Sequence, residues 1–321
     1  MVIGIFTIFP IIGLIVDAEF RKDVLPILIP LCVAIIAFVI WMKIKRNKAR
    51  KLRAEARCAL MNNDKAQPSQ TITEAPQVMN FAASESPKQR NTVPETTSNI
   101  EDRIKKIEEK YYILWGKYGH LNEIMNRGFA ACKINRQSDI LIVGFNPSYP
   151  PNSPKGNHFY PFPDSMNGFW GRVNGMLVSD NVNLKPRAAY LDMFAFRETD
   201  QNTGLNQIVC NSESFDYVVD QVSLIQDCIE NIIKPRFIII KNKAAWAFWG
   251  KEIQYTWMGY DFKHIEDTPY GELCVIEGFR NDNDRINKHL TSTALLGTYV
   301  LFTTHTAQVY PTPSFIEKYI S

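Results

Sequence analysis

An α/β fold is what this sequence predicts: a three-layer α/β/α sandwich on a four-stranded, mainly parallel sheet, preceded by an N-terminal membrane anchor. Three observations predict it. After Glu101, apolar runs of strand length alternate with segments of helical periodicity, the pattern of parallel strands joined by crossover helices. The run Ile140-Leu141-Ile142-Val143 is short and β-branched, then breaks into Gly144 and Pro147, as a buried strand with a sharp turn at its C-terminal end should. Near the start, the 19 residues from Val24 to Met42 carry no charge, enough to cross a bilayer as a helix.

The first 42 residues predict one or two membrane spans. Met1 to Val16 is apolar and interrupted by Pro10, and Asp17 to Asp23 is charged. No basic region precedes the first run and no small-residue cleavage pattern follows it, which argues against a cleaved signal peptide. Residues 43–60 form a basic segment with Lys43, Lys45, Arg46, Lys48, Arg50, Lys51, Arg53 and Arg57. The positive-inside rule then places everything after Met42 in the cytoplasm, at the inner membrane of a bacterium. Residues 61–98 are polar and aperiodic and predict a flexible linker.

Residues 99–321 predict one domain. Ile104, Ile107, Tyr111, Ile113, Leu114 and Tyr118 form the apolar stripe of a first helix, and a second is expected over Leu121 to Phe129. The four core strands are expected at Ile140 to Val143, Ala188 to Phe196, Phe237 to Ile240 and Thr298 to Thr303. Helices are expected after Trp170, over Ser214 to Ile233, over Ala244 to Trp249 and over Phe315 to Ile320. Gly259 to Glu277 reads as a hairpin turning at Pro269-Tyr270-Gly271. Trp246 and Trp249 read as helix packing, and Asp282 and Asp284 lack the Gly and Glu of a calcium loop.

Charge narrows the function. The chain carries +3 overall, but Glu101 to Ser321 holds 23 Lys/Arg against 25 Asp/Glu, near −2. A duplex-binding domain is normally basic, so routine duplex binding is disfavoured and a local basic cleft stays open. The six cysteines include no C-x-x-C pair, so neither a zinc site nor an iron–sulfur cluster is expected, and no cofactor is called for.

In open α/β sheets, ligands bind at the C-terminal ends of the strands. There the sequence places Gly144-Phe145-Asn146-Pro147-Ser148, then Lys155-Gly156-Asn157-His158-Phe159, then Asn167-Gly168-Phe169-Trp170. This series resembles the uracil-DNA glycosylase superfamily, closest to its thymine/mismatch-specific branch, which carries G-[IM]-N-P-G, Lys-Gly-His-His-Tyr and Asn-x-Phe-Trp at similar distances. The resemblance covers roughly Glu101 to Ser321. It implies hydrolysis of an N-glycosidic bond on a base swung out of its stack.

The roles it implies are specific. Asn146 would position the attacking water, and Gly144, Phe145, Pro147 and Ser148 would form the pocket around it. His305, just past the last strand, would donate to the departing base, although the Pro-Ser that follows such a His in the superfamily is absent. Phe159 would stack on the flipped base. Asp192 stands where the branch has an Asn that reads the uracil edge. An ionised Asp only accepts, which would weaken uracil. Ser148 replaces the usual Gly. Each residue has a plainer reading: Asn146 as a loop cap, Phe159 as a core ring, His305 as a surface residue. The partner implied is a nucleic acid or nucleotide, and the rival function is a non-catalytic recognition module on the same fold.

Overall fold

The computed structural model describes residues 97–134, 137–252, 256–280, 285–303 and 309–321. The anchor expected over 1–42, the basic segment 43–60, the linker up to residue 96 and His305 lie outside the described residues. Among the described residues, no helix is long and apolar enough to cross a membrane.

The domain opens with helix α1, Thr97–Tyr118, so helix replaces linker at the last two residues of the expected tether. Ile107, Tyr111, Leu114, Trp115 and Tyr118 are buried along one face at helical spacing. Ile113 is exposed, and Trp115 fills the stripe instead. The helix expected over Leu121 to Phe129 shrinks to a 3₁₀ turn, Met125–Arg127. Gly128 ends it at φ 86°, where a Cβ would lie 2.4 Å from the backbone of Gly156. Two three-residue strands follow, β1 at Ala130–Cys132 and, after β2 at Ile140–Gly144, β3 at His158–Tyr160; β1 and β3 pair in parallel as a small separate sheet.

Next come α2 at Gly168–Gly175, β4 at Ala188–Asp192, α3 at Phe215–Cys228, β5 at Phe237–Ile240 and α4 at Lys243–Trp249. The hairpin strands β6, Tyr260–Thr268, and β7, Gly271–Phe279, precede β8, Tyr299–Phe302, and α5, Pro313–Ile320. The main sheet has six strands in the order β4-β2-β5-β8-β7-β6. Its first four strands run parallel. β7 then pairs antiparallel with β8, and β6 with β7. The expected four-stranded sheet is therefore corrected to a mixed six-stranded one. The hairpin pairs with β8 and satisfies backbone groups that a four-stranded sheet would leave at its edge.

Strand alternation sorts the core. Ile140, Ile142, Tyr190, Phe237, Ile239 and Leu301 pack with Val173, Ile316 and Ile320, so α2 and α5 cover that face. Phe302, next in line, meets Trp246 of α4 at 5.7 Å on the other face. Helices thus cover both faces. Polar ties hold the outer helices. Lys110 pairs with Asp227 and Lys117 with Asp220, joining α1 to α3. Arg236 donates to the carbonyl of Ile320 at 2.6 Å and fixes the last helix.

Candidate active site at the C-terminal edge of the sheet

Three parallel strands end nearly level. Gly144 of β2 is in register with Asp192 of β4, and Val143 with Ile240 of β5. Lys241 follows at once, its amide donating to the carbonyl of Val143 at 3.0 Å. Gly144, Asp192 and Lys241 therefore share the edge where ligands enter open α/β sheets. Glycine is required at the first of them. A Cβ on Gly144 would lie 2.1 Å from both Asp192 Oδ1 and Tyr190 Oη, closer than any real contact.

Asp192 is buried, 8% exposed. Tyr190 Oη donates to Oδ1 at 2.7 Å and Tyr160 Oη to Oδ2 at 3.4 Å. Burial pushes its pKa up to about 7, against the opposing pull of the two phenols and of Lys241. The same burial, with the carboxylate beside them, drives both tyrosines far above the ordinary phenol range. At neutral pH Asp192 carries a proton much of the time. The sequence reading considers Asp192 ionised, when it can only accept; burial without a salt bridge favours the protonated form, which also donates.

Lys241 is 3% exposed. Its Nζ lies 4.5 Å from the Phe169 ring centre and 5.3 Å from that of Tyr310. Burial lowers its pKa to about 8, the charge of Arg172 lowers it further, and Asp192 acts the other way. Around these groups stand the aromatics of the Asn-x-Phe-Trp segment: Trp170 meets Tyr190 edge-on at 4.8 Å, and Phe169 meets Trp170 at 5.1 Å. Perturbed acid and base together at a strand edge are the usual mark of a functional site.

The loop after β2 is held from one side. Phe145 is buried against Phe194 at 5.2 Å and is a core ring. Asn146 is half-buried. Its Nδ2 donates to the carbonyls of Glu198 at 2.7 Å and Pro147 at 3.0 Å. Two carbonyl acceptors fix which end of the amide is nitrogen, because only the NH₂ can donate to both. Oδ1 receives no hydrogen bond from the described residues. Pro147 also accepts from the amide of Glu198 at 3.0 Å, and exposed Ser148 shares a hydrogen bond with Thr199 at 2.8 Å. Tyr149 lies under two guanidiniums, Arg127 at 4.8 Å and Arg197 at 4.7 Å, and Arg127 is paired with Glu198 at 2.7 Å. The loop is thus anchored to the segment after β4.

Of the residues singled out from sequence, Gly144, Asn146 and Asp192 lie at this edge, with Pro147 and Ser148 in the adjoining loop. Phe159 packs elsewhere: its ring meets Tyr111 at 5.5 Å, Tyr112 at 6.0 Å and Phe129 at 5.2 Å. Successive residues of a strand face opposite ways, so its neighbour Tyr160 reaches Asp192 instead. His305 lies outside the described residues. Sequence reasoning missed Tyr160, Tyr190 and Lys241. The signal for Lys241 was a charge directly after an all-apolar strand. No family model, no curated protein and no solved structure matches this chain significantly.

Proposed function

We propose that residues 99–321 form a uracil-DNA-glycosylase-like hydrolase that cleaves an N-glycosidic bond with a water positioned by Asn146. The observation that carries the reading is the tethered amide of Asn146. With Nδ2 engaged by Glu198 and Pro147, Oδ1 is the atom left to accept from a water. The bond forms from the water's oxygen to C1′ of the sugar as the C1′–N bond breaks. The electron pair leaves on the base nitrogen, and the water's proton passes through solvent to that departed base. Asp192, protonated much of the time near pH 7, is suited to hydrogen-bond an acceptor on the base edge. The resemblance rests on the three motifs after Gly144, Lys155 and Asn167, and the N-terminal segment supplies a membrane tether.

One observation favours the rival reading of a recognition module. Phe159, the ring expected to stack on a flipped base, is engaged by Tyr111 and Phe129. A base-release assay separates the two readings. The purified chain is incubated with single- and double-stranded oligonucleotides and with free nucleotides carrying uracil, thymine and modified bases. Release of free base supports the hydrolase. Binding without release at any pH from 5 to 9 assigns the recognition module.

A further inference from the structure

We propose that Lys241 and Arg172 hold a phosphate group, the dianionic end of a nucleotide-class ligand, at the C-terminal edge of the sheet. The phosphate site stands on those two side chains. Its assignment to a nucleotide rests on the function proposed above.

An ammonium has three donors and no acceptor, and lysines this buried are almost always paired. Lys241 is 3% exposed, yet its Nζ makes no hydrogen bond or ion pair with any described residue. Among the described residues, its Nζ faces the aromatic rings of Phe169 and Tyr310. Such faces attract a cation, but they supply no acceptor and do not replace its lost hydration. Asp192 is the acid whose charge Lys241 feels, and it stands beyond ion-pair distance with its oxygens turned to Tyr190 and Tyr160.

Arg172 supplies the second cation. It is exposed on α2 and makes no hydrogen bond or ion pair with any described residue, and its charge acts unfavourably on Lys241. Arg172 follows Phe169 by three residues on α2, on the face that meets Lys241 Nζ, and no acidic side chain among the described residues pairs with either cation. Repulsion of that kind is relieved when an anion binds both. A carboxylate would neutralise one of them. A phosphate monoester carries close to two negative charges at neutral pH and matches both. Lysine suits it as a point charge, and the exposed arginine as a planar fork. Asp192, kept protonated much of the time by burial, does not repel it.

The test uses the full chain and calorimetric titration. The probes are the 5′-monophosphates of the four common nucleosides, the matching nucleosides, and inorganic phosphate. Expected are at least tenfold tighter binding of a monophosphate than of its nucleoside, and displacement by inorganic phosphate. Lys241→Met should abolish that tenfold difference, Lys241→Arg should keep most of it, and Arg172→Gln should lose part of it. Lys241→Met should melt no lower than wild type, because it removes an unpaired buried charge, so its loss of binding is not unfolding. Equal affinity for nucleotide and nucleoside, no competition by phosphate, or an unaffected Lys241→Met overturns the site. Base release is read separately. A nucleotide bound through Lys241 but left intact keeps the phosphate site and refutes the hydrolase. Base release without any advantage from a phosphate does the reverse.

Discussion

Among the described residues, two carboxylates are buried, Glu230 and Asp192, and the fold treats them differently. Glu230 accepts from Tyr260 Oη at 2.9 Å, Thr293 Oγ1 at 2.7 Å and the amide of Ala294 at 2.7 Å. Three donors, one of them backbone, saturate it, and they join the helical turn after α3 to the hairpin and to the segment before β8. Asp192 accepts from two phenols, one of them at the long distance of 3.4 Å. Its nearest cation feels it without pairing with it. A saturated buried carboxylate holds a fold together. An under-satisfied one beside an unpaired lysine has capacity left for a ligand, and it sits where the sheet topology puts ligands.

The first way to break that comparison is to remove the saturated group. Glu230→Ala strands one buried and two part-buried donors, each worth up to ~1–3 kcal/mol when left unmade. We expect a loss of more than ~3 kcal/mol in urea denaturation. A loss below ~1 kcal/mol would show that Glu230 does not brace the hairpin.

Asp192→Asn should act in the opposite sense. The folded-state pKa of Asp192 is raised from 3.8 to about 7. Its contribution to stability is therefore fully present below about pH 4 and is lost as pH rises through 7. At ~1.4 kcal/mol per pKa unit, the ceiling on that loss is ~4 kcal/mol. Asn carries no charge to desolvate and keeps an acceptor for Tyr190. The variant should match wild type at pH 4 and exceed it by ~1–4 kcal/mol at pH 8. Parallel pH profiles for the two proteins would mean that Asp192 is not strained by its site.

Much of this arrangement was legible in the sequence, and the rest fails for physical reasons. Ile140 to Gly144, Phe237 to Ile240 and Tyr299 to Phe302 could be read because strands buried on both faces are continuous apolar runs. The hairpin could be read from its turn at Tyr270-Gly271, but its pairing with β8 is a long-range contact that no local pattern encodes. Ala130–Cys132 and His158–Tyr160 are too short to show a period. The site was legible where a motif marked it, at Gly144, Asn146 and Asp192. It was missed by one residue at Phe159, because a period of two makes adjacent positions opposite in direction. Lys241 only leads into the helix expected over Ala244 to Trp249, and nothing local marks it as buried. Its burial comes from Phe169 and Tyr310, each about 70 residues away in sequence.

The central claim is that Asn146 places the water that cleaves the glycosidic bond, and a single-turnover base-release measurement on Asn146→Ala tests it most directly. Losing one such positioned group raises the barrier by ~2.7–4 kcal/mol. The account predicts a release rate on the order of 100-fold to 1000-fold below wild type, with melting temperature and ligand affinity little changed. A variant that releases base at the wild-type rate would contradict it.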